Sequence, residues 1–117
     1  MLSLDQARRY SLSLPDTAEA PHFNFSSFRV RGKIFVTIPP SDEFIHIFVP
    51  SAEIQPALDA HPDFLEELWW GKKVVGLRAS LSTANPAVIK DLIHSAWAGK
   101  APKSKPAVKA PPTRKKR

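Results

Sequence analysis

The sequence predicts a small α+β fold in which an antiparallel sheet packs with three helices, and three observations support this prediction. Hydrophobic side chains alternate with a period of two on both sides of Gly32 and again over residues 74–80, as in strands. They recur at helical spacing over residues 4–14 and 88–97. About one hundred residues precede a basic tail, which suits one domain with a single hydrophobic core.

The first helix is predicted from Ser3 to about Leu14. Ser3 is followed three positions later by Gln6, which is the pattern of a capping box. Hydrophobic residues at positions 4, 7, 10 and 14 then form one face, and Pro15 ends the pattern.

Two strands are predicted around Gly32, and the loop between them decides their register. A two-residue loop, 32–33, would set the charged face of one strand against the apolar face of the other. A three-residue loop, 31–33, gives one continuous apolar face and is preferred. This register pairs Val30 with Ile34 and Phe28 with Val36. The other, exposed face then carries Arg29, Phe35 and Thr37.

The middle of the chain predicts a buried strand and a second helix. The segment from Phe44 to Val49 is almost uninterruptedly apolar, which indicates a central strand covered on both faces. Ser51 is a plausible N-cap for a helix that runs through Leu58. Pro56 could delay the regular helix by a turn, because proline removes a backbone donor.

The last part of the body predicts a strand and a closing helix. The segment 65–70 is ambiguous between the end of a helix and a strand, whereas 74–80 has the pattern of a strand. Asn85 followed by Pro86 is a strong helix start, and this third helix should end at Gly99.

Positive charge is concentrated at the end of the chain. Residues 1–99 carry nine Lys and Arg against eleven Asp and Glu, a net charge of −2, whereas 100–117 carry eight basic residues and no acidic one. We therefore expect a folded domain over 1–98 and a disordered, Lys/Pro/Ala-rich tail over 99–117 that binds nucleic acid without sequence preference. The basic residues of the tail are Lys100, Lys103, Lys105, Lys109, Arg114, Lys115, Lys116 and Arg117.

Several classes of function are disfavoured by the residues present. The chain has no cysteine, and its four histidines show no metal-ligand spacing, so neither a metal nor another cofactor is predicted. Its glycines form no phosphate-binding loop, and Glu66 and Glu67 are adjacent and point in different directions, which makes an enzyme the weaker class. We read no signal peptide and no membrane span, so a cytoplasmic, nucleoid-associated location is expected.

Two basic groups in the body are candidate nucleic-acid contacts. They are Arg29, Arg31, Lys33 and Phe35 around the Gly32 hairpin, and Lys72, Lys73 and Arg78 beyond Trp70. Arg and Lys neutralise phosphates, and an aromatic ring beside them can stack on a base. The alternative is that these residues are charged only because they face water, and that Trp69 and Trp70 belong to the core.

Several motifs of the chain resemble those of one protein family. They are PHFNFSSFRVRGKIFVTIPP, then LWWGKKVVGLRASL, then a closing helix with SAW near its end. In this order they closely resemble the MmcQ/YjbR family of small bacterial proteins, over roughly residues 1–98. The resemblance implies an α+β fold and DNA binding through a double-wing arrangement of hairpins. The matching positions are His22 and Phe23, the hairpin 28–33, and 69–72.

The expected function is that of a non-enzymatic bacterial protein that binds duplex DNA with little sequence preference. One alternative is a protein-interaction or chaperone-like module, whose tail aids solubility or binds RNA. A further alternative is an enzyme for a phosphorylated or anionic small molecule, which would need a deep pocket that collects His22, Arg29 and Lys73.

Overall fold

The computed structural model describes residues 3–22, 25–39 and 43–101 of the 117-residue chain. In these residues the chain forms three helices and six strands. The elements in chain order are α1 (Leu4–Ser13), β1 (Thr17–His22), β2 (Phe25–Val30), β3 (Lys33–Ile38), β4 (Phe44–Ile47), α2 (Ser51–Ala60), β5 (Leu65–Trp70), β6 (Lys73–Ser80) and α3 (Pro86–Lys100). The predicted α+β class is confirmed.

All six strands belong to one antiparallel sheet with the order β1-β2-β3-β4-β6-β5. Strands β1 and β5 are therefore its edges. Residues directly opposite each other in neighbouring strands lie on the same face of a sheet. One row across four strands consists of Phe28, Val36, Ile47 and Leu77, all fully buried. We call this side the helix face, because these residues share one buried cluster with α3 residues Ile89, Ile93 and Ala96.

The neighbouring row lies on the opposite side, which we call the polar face. Its members are Ser27, Thr37, His46, Arg78 and Glu66, each opposite the next. Ser27 and Thr37 are buried, while the last three are partly or fully exposed. The two faces thus separate an apolar core from a row of polar and charged groups.

The hairpin between β2 and β3 corrects the predicted register. Phe28 pairs with Val36 as expected, but Val30 pairs with Lys33, so the turn contains only Arg31 and Gly32. Both residues have positive φ, 50° and 84°, which is the signature of a type I′ turn.

A β-bulge reconciles the shorter turn with the expected pair of Phe28 and Val36. Arg29 pairs with Ile34, which leaves Phe35 as an extra residue on β3. A bulge interrupts the alternation of side chains, and Phe35 is completely buried in the same cluster as Val36. The expectation that Phe35 lies on an exposed face is therefore wrong, and so is the same expectation for Thr37, which is only 4% exposed.

Strand β1 was not predicted from the sequence. Its residues, TAEAPH, lack alternating β-branched or aromatic side chains and include Pro21. Proline is tolerated there because β1 is an edge strand, whose outer donors need no partner strand. Helix α1 packs next to it, and Arg8 of α1 donates to Glu19 of β1 at 2.8 Å, which raises the pKa of Arg8.

Strand β4 and helix α2 differ in part from expectation. Strand β4 is central, as predicted, but it ends at Ile47, and Phe44 and His46 are only half-buried, so it is not covered on both faces. Helix α2 begins at Ser51, which is its first residue and not its cap. Pro56 causes no delay and lies inside the helix.

The other predicted elements are confirmed. Helix α1 has the capping box of Ser3 and Gln6, and the ambiguous segment is strand β5. The Asn85 side chain accepts from two backbone amides at the start of α3. Helix α3 runs to Lys100, one residue beyond the predicted end, and the amide of Ala101 donates to Trp97. None of the helices in the described residues has the length and apolar character needed to cross a membrane.

Candidate nucleic-acid interface

Strand directions bring both hairpin turns to the same end of the sheet. Strand β2 runs toward its turn and β3 away from it, and β4 is antiparallel to β3. Strand β6 is antiparallel to β4, so it starts at the same end as β3, and β5 finishes there. The turn 31–32 and the turn 71–72 therefore lie side by side, with β4 between the two hairpins.

This end of the sheet collects basic side chains from distant parts of the sequence. Lys73 starts β6, and Lys100 at the end of α3 lines the same cavity as Lys73. We call the group the basic end, and its members are Arg31, Lys33, Lys72, Lys73 and Lys100. Two carboxylates of the described residues, Asp16 and Glu53, are near it, since Asp16 precedes β1 and Glu53 lies in the first turn of α2.

The opposite end of the sheet is acidic. Strands β4 and β5 start there, and Glu43 and Asp63 precede them. Helix α2 ends there, with Asp59 in its last turn. The net charge of −2 over residues 1–99 therefore conceals an asymmetry along the strands. A local positive potential at one end is compatible with a net negative body, because exposed charges farther than about 10 Å apart are largely screened at 0.1 M salt.

The first turn presents its charges on a tight, fixed backbone. Arg31 Nε lies 3.4 Å from Asp16 Oδ2, and both side chains are more than half exposed. Such an exposed pair contributes little to stability and leaves the guanidinium accessible to another anion. Lys33 is exposed and begins β3, next to Gly32.

The second turn contains Gly71 and Lys72, between the opposed residues Trp70 and Lys73. Gly71 has a φ of 63°, as a two-residue hairpin with glycine in first position requires. Lys72 and Lys73 are exposed, and neither has an ion-pair partner among the residues that the structure describes.

Both tryptophans before this turn are exposed, contrary to the alternative that places them in the core. Trp69 is 55% and Trp70 is 74% exposed. They lie at the end of β5, which is an edge strand of the sheet formed by the described residues, so no neighbouring strand of that sheet flanks them on one side. Trp70 was not among the candidate contacts predicted from the sequence, although its position beside Lys72 and Lys73 was the available signal.

Two of the candidate arginines lie away from the basic end. Arg29 is half-buried on the polar face, and its Nε donates to Ser27 Oγ at 3.1 Å. Arg78, also on the polar face, pairs with Glu66 at 2.6 Å and stacks over the Phe44 ring at 3.7 Å. Their guanidinium groups already make contacts with other side chains of the polar face.

His46 lies between Thr37 and Arg78 on the polar face, with its ring 5.9 Å from that of Phe25. Burial lowers the pKa of His46, and the positive charge of Arg78 lowers it further. The imidazole is therefore neutral near pH 7 and adds no positive charge to the surface.

A cavity of about 260 Å³ opens between α2, α3 and the start of β6. Lys73 and Lys100 line it, together with Pro50 and Ile54. Arg29 does not, and the side chain of His22 is outside the described residues, so this cavity does not collect the three groups that the enzyme alternative needs. The described histidines and carboxylates also form no cluster of three that could hold a metal ion.

The tail beyond Ala101 lies outside the described residues, and so does Phe23. Lys100 is the only tail candidate with a described position, and it lies at the basic end. The chain therefore leaves its last helix at the same end of the sheet as the two hairpin turns.

These features define a small α+β protein with helices packed on one sheet and basic hairpin turns at one end. A family model described as YjbR matches residues 12–98, and the chain belongs to this family. Its fold is similar to that in the crystal structure of the Deinococcus radiodurans protein DR2400, described as a DUF419 domain. The TM-score is 0.69 at 17% identity, over 83% of this chain and 77% of that one. No curated protein matches the sequence significantly.

Proposed function

We propose that this chain is a non-enzymatic, cytoplasmic nucleic-acid-binding protein, which contacts DNA phosphates with its two hairpin turns and its basic tail. The observation that carries the proposal is the convergence of Arg31, Lys33, Lys72, Lys73 and Lys100 at one end of the sheet. Membership of the YjbR family is consistent with this function.

The spacing of the two turns supports a double-wing mode of contact. Their midpoints are separated by three strand spacings, which is about 14 Å at the sheet. This distance is comparable with the roughly 12 Å width of the major groove of B-DNA. The two turns would therefore contact phosphates on either side of one groove, without reading bases.

The tail extends the same electrostatic surface. Its first basic residue, Lys100, lines the same cavity as Lys73, so the cationic segment would start where the hairpins contact DNA. Cationic segments bind phosphate backbones with little preference for sequence.

A second candidate function is a protein-interaction or chaperone-like module. The exposure of Trp69 and Trp70 favours it, because large exposed aromatic side chains are typical of protein interfaces. The two candidates differ in the salt dependence of binding, which is steep for phosphate contacts and weak for an apolar interface.

The test compares two double variants of the full chain that lose the same charge. Lys72→Gln/Lys73→Gln removes two cations of the basic end, whereas Arg9→Gln/Lys90→Gln removes two cations from α1 and α3. Affinity for duplex DNA is measured by fluorescence anisotropy at several salt concentrations. We expect only the first variant to bind more weakly, with a log–log salt slope shallower by about 2.

Equal effects of the two variants would mean that DNA responds only to net charge, and the proposed contacts would be wrong. Unchanged thermal unfolding of both variants is the control, since each replaced residue is exposed.

A further inference from the structure

The exposed tryptophan at the second turn is the surface feature that phosphate contacts leave unexplained. Trp70 is 74% exposed, although tryptophan is among the largest apolar side chains. By contrast, Trp97 packs against the core, and its Nε1 donates to the carbonyl oxygen of Pro15 at 2.9 Å. An apolar ring this exposed on an edge strand is a candidate binding surface.

A lysine lies directly opposite this ring. Trp70 and Lys73 are a cross-strand pair, and the Cβ atoms of such pairs are about 5 Å apart. Lys72 is in the turn between them. The hairpin that carries this apolar ring therefore also carries two lysines, neither of which has an ion-pair partner among the described residues.

This combination favours a ligand that has both flat apolar rings and negative charge. A purely apolar partner that covered Trp70 would also remove water from Lys73 without pairing its charge, which is costly. A nucleotide satisfies both groups, because its base stacks on the indole while its phosphate meets the ammonium groups.

The bases must be unpaired for this contact. Inside a duplex each base is stacked between its neighbours and presents only its edges in the grooves. An indole ring on a hairpin can stack only on a base that is exposed in a single strand, a loop or an end.

We propose that Trp70 and Lys73 form a stacking site for unpaired nucleobases, so that the protein binds single-stranded nucleic acid more tightly than duplex. The inference rests on the proposed function, because it assumes that the basic end meets nucleic acid. DNA and RNA share the chemistry that the site would recognise, and the experiment separates them.

The experiment measures fluorescence anisotropy with the full chain and three labelled probes: a short oligothymidylate, an oligouridylate and a DNA duplex of the same length. Trp70→Leu keeps an apolar side chain but removes the aromatic face, whereas Trp70→Phe keeps a smaller one. We expect Trp70→Leu to bind single strands about tenfold more weakly, Trp70→Phe to retain most of the affinity, and duplex binding to stay unchanged. The oligothymidylate and oligouridylate affinities of the wild-type chain show which of the two the site prefers.

Trp69→Leu is the matched control. Successive strand residues point to opposite faces, so Trp69 does not share the side of β5 on which Trp70 lies, and its replacement should keep single-strand affinity. Thermal unfolding and sedimentation of each variant show whether folding or self-association has changed.

The outcomes separate the two proposals. If the wild-type chain binds duplex and single strand equally, or if Trp70→Leu weakens both equally, the stacking site is refuted while DNA binding stands. A change in oligomeric state in Trp70→Leu would also refute it, in favour of a contact between copies. If the wild-type chain binds no probe, the proposed function itself is wrong.

Discussion

At the scale of single residues, His46 shows how the sheet changes the chemistry of a side chain. It lies in the polar row between Thr37 and Arg78, on a central strand. Burial is the larger cause of its lowered pKa, and the charge of Arg78 is the smaller one. Both disfavour the imidazolium form, so protonation of His46 opposes folding.

The first prediction follows from this pKa. In the unfolded chain His46 has a pKa near 6.5, so below about that pH the unfolded state binds more protons than the folded state. The free energy of unfolding should therefore fall as the pH is lowered from about 6.5 through the lower folded-state pKa. His46→Gln should remove this contribution, as measured by urea unfolding at pH values between about 7 and 5.

His94→Gln is its control, because His94 is exposed on α3. The variant should keep the wild-type pH dependence. If His46→Gln also keeps it, burial of His46 does not affect stability in this range.

A second prediction concerns Gly76, where two strands approach closely. A Cβ at this position would lie 2.5 Å from the carbonyl oxygen of Ile47 and 3.1 Å from the Cα of Phe48. These are backbone atoms, which cannot rotate away. Gly76→Ala should lower the free energy of unfolding by about 1–3 kcal/mol, measured by urea unfolding.

Gly71→Asn is the comparison for this variant. A Cβ at position 71 meets open space, and asparagine tolerates positive φ better than most other residues with a side chain do. A loss in Gly71→Asn would come from the positive φ of 63° at that position. A Gly76→Ala variant as stable as the wild-type chain would show that the backbone of β4 moves to make room for the added methyl group, and the prediction would be wrong.

The residues of the candidate site could be predicted only in part. Lys72 and Lys73 stand out in the sequence as neighbouring cations beside aromatic residues, and both are exposed. The sequence alone does not show whether Trp69 and Trp70 are buried, because their exposure depends on β5 being an edge strand. Strand order is a property of long-range pairing, and side-chain alternation does not encode it.

At the scale of elements, the β2–β3 hairpin shows what a pattern of alternation misses. The two strands and the pair Phe28–Val36 were predictable from the apolar period. The turn was not, because type I′ turns usually carry Asn or Gly in first position, and here Arg31 adopts positive φ. The shorter turn requires a bulge to restore register, and the bulge buries Phe35.

The third prediction concerns the closing helix, whose start was fully predicted. The Oδ1 atom of Asn85 accepts from the amides of Ala87 and Val88, at 2.9 and 3.4 Å. Asn85→Ala leaves these amides without the cap and should destabilise the protein by about 1 kcal/mol in chemical unfolding. Asn85→Ser provides another capping oxygen and should recover most of the loss. If Asn85→Ser is as unstable as Asn85→Ala, the cap does not determine the effect.

At the scale of the whole molecule, charge is arranged in a way that composition hides. Over residues 1–99 acidic side chains outnumber basic ones, which by itself argues against phosphate binding. The antiparallel order of β3, β4 and β6 nevertheless brings turns from separate parts of the sequence to one end. The acidic residues Glu43, Asp59 and Asp63 are at the other end. This polarity follows from strand directions, so it could be recognised only once the topology was known.

The last prediction separates the body from the tail by salt dependence. The structure places the end of α3 at Lys100, with Ala101 partly buried against the core, so the shortened chain should retain residues 1–101. Seven basic residues follow Ala101, and each phosphate neutralised contributes about −0.9 to the slope of log affinity against log salt. The full chain should therefore have a slope steeper by up to about 6 than residues 1–101, which should bind duplex DNA weakly through about three to five contacts of their own.

Thermal unfolding is the control, and the midpoint of the shortened chain should stay within about a degree of that of the full chain, because surface changes contribute under roughly 0.5 kcal/mol. A shortened chain that is equally stable yet binds no DNA at low salt would mean that the tail alone is the DNA-binding element, and the hairpin turns would have to serve another partner.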